Sequence, residues 1–210
     1  MKNQELIQQA ISLLADNQQA ADLLRRFLMS NAKTNVKFDF YNYVARNSLR
    51  PAMTGVFYEN GFKIATDGHI LIALSNQEYP PEIEGCVIDK KANKINERFV
   101  NWRRVVPAEH TMNVMSVLDI DKIKEAVKID KQIMKERNEK RVAVKLGESY
   151  FLPEMLLKIA IFASEIGVNE LKMNDAKPNS AACVYGDGGS VGLIMPLSIN
   201  EWDKFQIIQL

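Results

Sequence analysis

Apolar positions recur along this chain with two different periods, and the switches between them mark its elements. From Asn3 to about Met29 they fall at helical spacing: Leu6, Ile7, Ala10, Leu13 and Leu14, then Leu23, Leu24, Phe27 and Leu28, with a break at Asp16-Asn17. That predicts one or two amphipathic helices in an N-terminal segment, residues 1–35. The pattern then shortens. VKFDFY (36–41), MTGVFYE (53–59), FKIAT (62–66) and HILIALS (69–75) read as strands, with a short helical piece between the first and second. Asn60-Gly61 and Asp67-Gly68 separate the later three. Both pairs accept the positive φ of tight turns, so a three-stranded meander completes a first half, residues 36–80.

Residues 81–114 read as a Pro-bounded, irregular connection with one strand candidate, GCVID. A second half, residues 115–200, opens on the helix DIDKIKEAVKIDKQIMKERNEK, with Ile120, Ile123, Val127 and Met134 on one face. Lys124, Lys128, Lys131 and Lys135 form a stripe on another face. The strands RVAVKLG and SYFL follow, then a helix with Pro153 in its first turn and Gly167 at its close. NELKMND, SAACVYGD and SVGLIMPL are three more strands, with turns at Lys177-Pro178-Asn179 and Gly186-Asp187-Gly188-Gly189. Residues 201–210 are left as a tail. A strand, helix and three-strand unit thus occurs twice, once degraded, and helices grouped with antiparallel meanders predict the α+β class.

Composition narrows the chemistry. The formal charge is +1, so contact with nucleic acid must come from local clustering. Cys86 and Cys183 are too far apart for a CxxC site, which fits reduced thiols in a cytoplasmic protein. Apolar runs are too short to cross a membrane, and the N-terminal segment lacks a signal peptide's unbroken apolar centre. Gly188-Gly189-Ser190-Val191-Gly192 spells G-x-S-x-G, but a nucleophile elbow needs a helix after the serine and a histidine later in the chain. A strand-like run with Pro196 follows instead, and both histidines, His69 and His110, come earlier, so the glycines read as a hairpin turn. No helix begins there to cradle a phosphate. Asp67 and His69 have no further ligand at metal spacing, and Glu82 and Glu84 read as solvated surface in a Pro-rich loop. The expectation is a binding protein that is not an enzyme and uses no metal or cofactor.

Three stretches then meet a known family. RPAMTGVFYENGFKIATDGHILIAL resembles the middle domain of bacterial sliding clamps, the DNA polymerase III beta subunit, where the run ends in ATDGHRLA. ERFVNWRRVVP is similar to the clamp stretch KFPDYRRVxP, and VGLIMPL to the clamp C-terminus YVVMPMRL. The three occur in clamp order, and the likeness spans roughly Val36 to Leu197 with gaps. It implies a DNA-clamp-like fold of about one clamp-type domain, made of two strand-helix-three-strand halves, plus the N-terminal helical segment. It also implies a break or bulge at Asp67-Gly68 within a long strand pair, with His69 and Leu71 turned toward a groove wall.

In clamps the three stretches build a groove for a short apolar peptide of polymerases and loaders. Carried over by position, the groove residues are Thr66, Gly68, His69, Ile70 and Leu71, then Val100, Arg104 and Val105, then Leu193, Ile194, Met195, Pro196 and Leu197. Ile70 stands where clamps usually have Arg, Val100 where they have Pro, and Ser198 where Arg is common, so this groove is more apolar and less cationic. Clamps also line a DNA channel with basic helices that hold phosphates without reading bases. Lys124, Lys128, Lys131, Lys135 and Lys158 are the candidates, although Asp121, Glu125, Asp130 and Glu136 among them fit a solvated face as well.

Two readings follow. One is a sliding-clamp-like accessory protein of replication or repair that binds DNA polymerase or other partners through a short apolar motif. As a homo-oligomer it would encircle or contact double-stranded DNA. The other is a clamp-fold structural or regulatory module without ring formation or DNA binding.

Overall fold

The computed structural model describes residues 38–136, 141–174, 179–198 and 205–209. The helices expected before residue 36, the end of the lysine-bearing helix and the Lys177-Pro178 turn lie outside them. The described residues belong to one unit, Phe38–Leu210.

Its centre is a nine-stranded sheet that runs, edge to edge, through Lys94–Ile95, Val87–Ile88, Val56–Glu59, Phe62–Thr66, Ile70–Leu74, Val191–Ile194, Ala182–Tyr185, Glu170–Met173 and Asn113–Val117. β1 (Val56–Glu59), β2 (Phe62–Thr66) and β3 (Ile70–Leu74) form the expected meander. Asn60 and Gly61 both take positive φ in the first turn, as that dipeptide predicts. β4 (Val87–Ile88) and β5 (Lys94–Ile95) make a short hairpin on β1, and β6 (Asn113–Val117) closes the opposite edge. β9 (Glu170–Met173), β10 (Ala182–Tyr185) and β11 (Val191–Ile194) supply the rest, antiparallel throughout. A second sheet of three strands sets β7 (Arg141–Leu146) between β8 (Ser149–Phe151) and β12 (Phe205–Gln209).

Alternation along the strands explains why this sheet reads as nearly continuous apolar runs. Ala65, Ile70, Ile72, Ala182, Val184 and Ile194 belong to a core shared with α1 (Ile120–Lys135) and α2 (Pro153–Glu165). Their neighbours Ile64, Leu71, Ala73, Cys183, Val191 and Leu193 belong to a second core with Phe99, Trp102 and Met112. Both faces are therefore covered, and a buried side chain of this size gains about 1.5–3 kcal/mol from leaving water. Gly192 is the one non-apolar step in β11, because α2 crosses there: an added Cβ would come within 2.8 Å of the Phe162 ring.

Four expectations are corrected. VKFDFY is not a strand where it is described: Phe40–Asn42 form a 3-10 turn capped by the Asp39 carboxylate, which accepts the Tyr41 N–H. Phe38 packs on Phe40, Tyr43 and Phe162 as an aromatic cluster instead of alternating across a sheet. Residues 81–114 are no mere connection, since their aromatic side chains close the second core. Phe205–Gln209, read as tail, is a strand parallel to β7, which pairs with β8 across Gly147. Met134 is 52% exposed: the buried face of α1 ends on Asp130, a polar residue.

Candidate partner-binding site

The Thr66–Ile70 turn is built by its own side chains. Thr66 Oγ1 donates to the Ile70 carbonyl at 2.6 Å and accepts the Gly68 N–H at 3.1 Å. Asp67 Oδ1 accepts the His69 and Ile70 N–H groups at 2.9 and 2.8 Å, while the Asp67 N–H donates to the Ile70 carbonyl at 3.2 Å. Gly68 sits at φ +93°, where a side chain is strained. The run is thus a closed hairpin turn between β2 and β3, with Thr66 opposite Leu71. The expected break within a long strand pair is corrected by this geometry. Asp67 Oδ1 is taken up by the turn; among the described residues no three His, Cys, Asp or Glu side chains gather at metal-binding distance.

Beside this turn the last strand of the main sheet comes to an end. β11 pairs with β3 in the register Leu193 to Leu71 and Ile194 to Ile70. One step on, the Met195 N–H donates to the His69 carbonyl at 2.8 Å, and the Leu197 N–H to the Tyr150 carbonyl at 2.7 Å. Stretches more than a hundred residues apart in the chain are thereby laid side by side. At this junction Gly68, His69 and Met195 are exposed, Met195 by 47%, and Pro196 and Leu197 are half-buried. Met195 continues the alternation of Val191 and Leu193, which face the second core.

Not every candidate belongs to that surface. Ile70 and Ile194 are 1% and 0% exposed in the helix-side core, so they cannot line a groove. The departure from Arg at position 70 is therefore a packing choice rather than a change in groove charge. Thr66, Leu71 and Leu193, each 3% exposed, support the junction from beneath. Val100 packs against the second core and lines a cavity of about 420 Å³ with Phe57, Glu59, Phe99 and Trp102. Arg104 and Val105 stand exposed on the turn that carries Trp102, outside that core. The neighbouring Trp102 Nε1 donates to Glu59 at 3.2 Å, and Arg103 pairs with Glu59 and lies over the Trp102 ring at 4.3 Å. The second stretch thus meets the junction through shared apolar packing, while the first and third meet directly.

Three of the five basic candidates have an acidic neighbour, two of them at exposed positions on α1. Lys124 lies 3.3 Å from Asp121, Lys128 3.8 Å from Glu125, and Lys158 3.7 Å from Asp67. Lys131 and Lys135 are exposed. Ser190 is buried, 2.8 Å from the Ser75 hydroxyl, with a 3-10 turn before it and a strand after it, so it is not presented as a nucleophile. Burial also pushes the Cys183 thiol up to about 11, which marks it as a packing group.

No protein-family model matches the chain, and no curated protein matches it in sequence. Solved structures do match. A sliding clamp from Bartonella birtlesii bound to griselimycin superposes with a TM-score of 0.52 at 12% identity, over 84% of this chain and 64% of that one. The DNA polymerase III beta subunit of Thermotoga maritima gives 0.50 at 15%, over 84% and 64%. A Pseudomonas aeruginosa sliding clamp with ligand gives 0.50 at 15%, over 76% and 62%. The chain has the DNA-clamp fold. At these identities the likeness concerns the fold alone, and the chain spans less than two thirds of the length of each of these clamps. Within the clamp fold the β3–β11 junction is where two of the three clamp-like stretches come together. No helix among the described residues is long and apolar enough to cross a membrane.

Proposed function

We propose that this chain is a non-enzymatic, clamp-fold accessory protein of DNA replication or repair that receives a short apolar segment of a partner at the β3–β11 junction. The observation that carries the reading is the Met195 N–H on the His69 carbonyl, which sets a half-exposed thioether beside an exposed histidine on a clamp fold. Methionine adapts its shape to varied apolar side chains, so it suits a surface that accepts Leu- or Phe-type anchors. His69, Pro196 and Leu197 frame it, and Leu71 and Leu193 stiffen the sheet below. Apolar burial supplies the affinity, at roughly 25 cal/mol per Å² before ordering costs are subtracted. Griselimycin, with which the Bartonella clamp was solved, is a natural second probe.

The test is a fluorescence titration with a labelled peptide carrying two leucines and a phenylalanine in a polar background. Met195→Glu places a charge in the contact and is expected to abolish binding, while leaving unfolding by denaturant nearly unchanged because the side chain is half in water. Equal affinity of the native chain and the variant would overturn the junction as the site.

The lysine pairings favour a second reading, a clamp-fold module that makes no DNA contact. Local acids offset Lys124, Lys128 and Lys158, which weakens the basic stripe. Duplex DNA retained at low salt, with affinity falling steeply as salt rises, would overturn this second reading.

A further inference from the structure

We infer that Lys158, on α2, is a positioning residue of the junction, setting the turn on which a partner peptide lies; the inference rests on the proposed peptide site. Asp67 divides its carboxylate between two tasks. Oδ1 takes the His69 and Ile70 N–H groups and so shapes the turn. Oδ2 faces the Lys158 ammonium at 3.7 Å. The pair is largely withdrawn from water, with side chains 26% exposed for Lys158 and 14% for Asp67. Lys158 is the one basic residue in the sequence of α2, PEMLLKIAIFASE, and its ammonium reaches the turn rather than open solvent. Its own carbonyl accepts the Tyr43 hydroxyl at 2.9 Å, a second tie at this point of the helix.

The chain of contacts then runs from Lys158 to Asp67, from Asp67 to the His69 amide, and from the His69 carbonyl to the Met195 amide. A helix of the last half thus holds the turn of the first half against the strand end that carries Met195. The residue acts through Asp67 and need not touch the peptide.

The test is a double-mutant cycle read by titration with the labelled Leu/Phe peptide. Lys158→Met and Asp67→Asn are each expected to weaken binding about two- to fivefold, the range for a pair of this exposure. Asparagine keeps the Oδ1 acceptor, so the turn itself persists. The double variant should lose no more than either single one, and Lys158→Arg should bind like the native chain. Losses that add, or a Lys158→Met chain that binds as the native one does, would overturn the inference while leaving the peptide site standing. Amide exchange supplies the independent readout: faster exchange at His69, Ile70 and Met195 in Lys158→Met, with β9 and β10 unaltered, is the expected result. If the native chain takes up no peptide, the junction has failed as a site. Unchanged exchange at those three amides would then show that Lys158 holds nothing in place.

Discussion

At the scale of single residues, the Thr66–Ile70 turn shows how little freedom a functional-looking motif can have. Threonine is there for a hydroxyl that both donates and accepts, aspartate for its acceptor, glycine for its φ, and the histidine side chain is left exposed. Gly68→Ala would force a Cβ into the left-handed region at φ +93° and bring it 3.4 Å from the Met53 methyl group. The contact is ordinary, so backbone strain decides, at roughly 1–2 kcal/mol. Equilibrium urea unfolding should show a loss of that size, and an unaltered midpoint would mean the turn opens to accept the side chain. The two glycine-bearing turns of the meander were legible in the sequence because Asn-Gly and Asp-Gly are local signals. The burial of Ile70 and Ile194 was not. A one-residue step along a strand flips a side chain to the other face, so position in a motif says which residue is near a groove, not which face it serves.

At the scale of elements, a buried Asp130 paired with a half-buried Arg141 ties α1 to the second sheet. Asp130 accepts Arg141 Nε at 3.0 Å and its terminal nitrogen at 2.8 Å, and the Val142 N–H at 2.8 Å. Burial disfavours the carboxylate, but the Arg141 hydrogen bonds, the Val142 amide and the Arg141 charge outweigh it and hold Asp130 below the usual carboxylate range. A carboxyl depressed in the folded state adds stability above its unfolded pKa, and that stability is lost as pH falls through the folded value. The contribution is therefore complete at neutral pH and fades below about pH 4, the ordinary aspartate value. Asp130→Ala strands the Val142 amide and a third-exposed guanidinium, with an expected cost of roughly 2–4 kcal/mol. Asp130→Asn, which keeps the acceptor for Val142, should cost less. In thermal unfolding at pH 7 and pH 3, the gap between the native chain and Asp130→Asn should narrow at the lower pH; a constant gap would remove the charge from the explanation.

Elements were legible in proportion to how local their signals are. α1 and α2 announced themselves through period and through Pro153 and Gly167, and the Val56–Leu74 meander through its turns. β6 was missed because it is an edge strand with exposed valines, Val114 and Val117 at 53% and 61%, and a register shift between Val114 and Ser116 that breaks any alternation. β12 was missed because five residues of FQIIQ become a strand only when β7 offers an edge. The role of Phe99 and Trp102 was equally hidden, since covering a sheet face from an irregular segment leaves no period to read.

At the scale of the whole molecule, the main sheet is continuous across the two halves. β3 and β11, contributed by the first and second halves of the sequence, are hydrogen-bonded neighbours in its middle. Every side chain placed at the junction, from His69 to Met195, and the Lys158 tie behind it, comes from the same copy. The proposed peptide site needs no second copy. Binding should therefore show one peptide per chain, with the same affinity at protein concentrations where native mass measurement finds a single chain and where it finds multimers. An affinity that rises with multimer fraction would mean that a second copy completes the site, and the single-chain junction would no longer account for recognition.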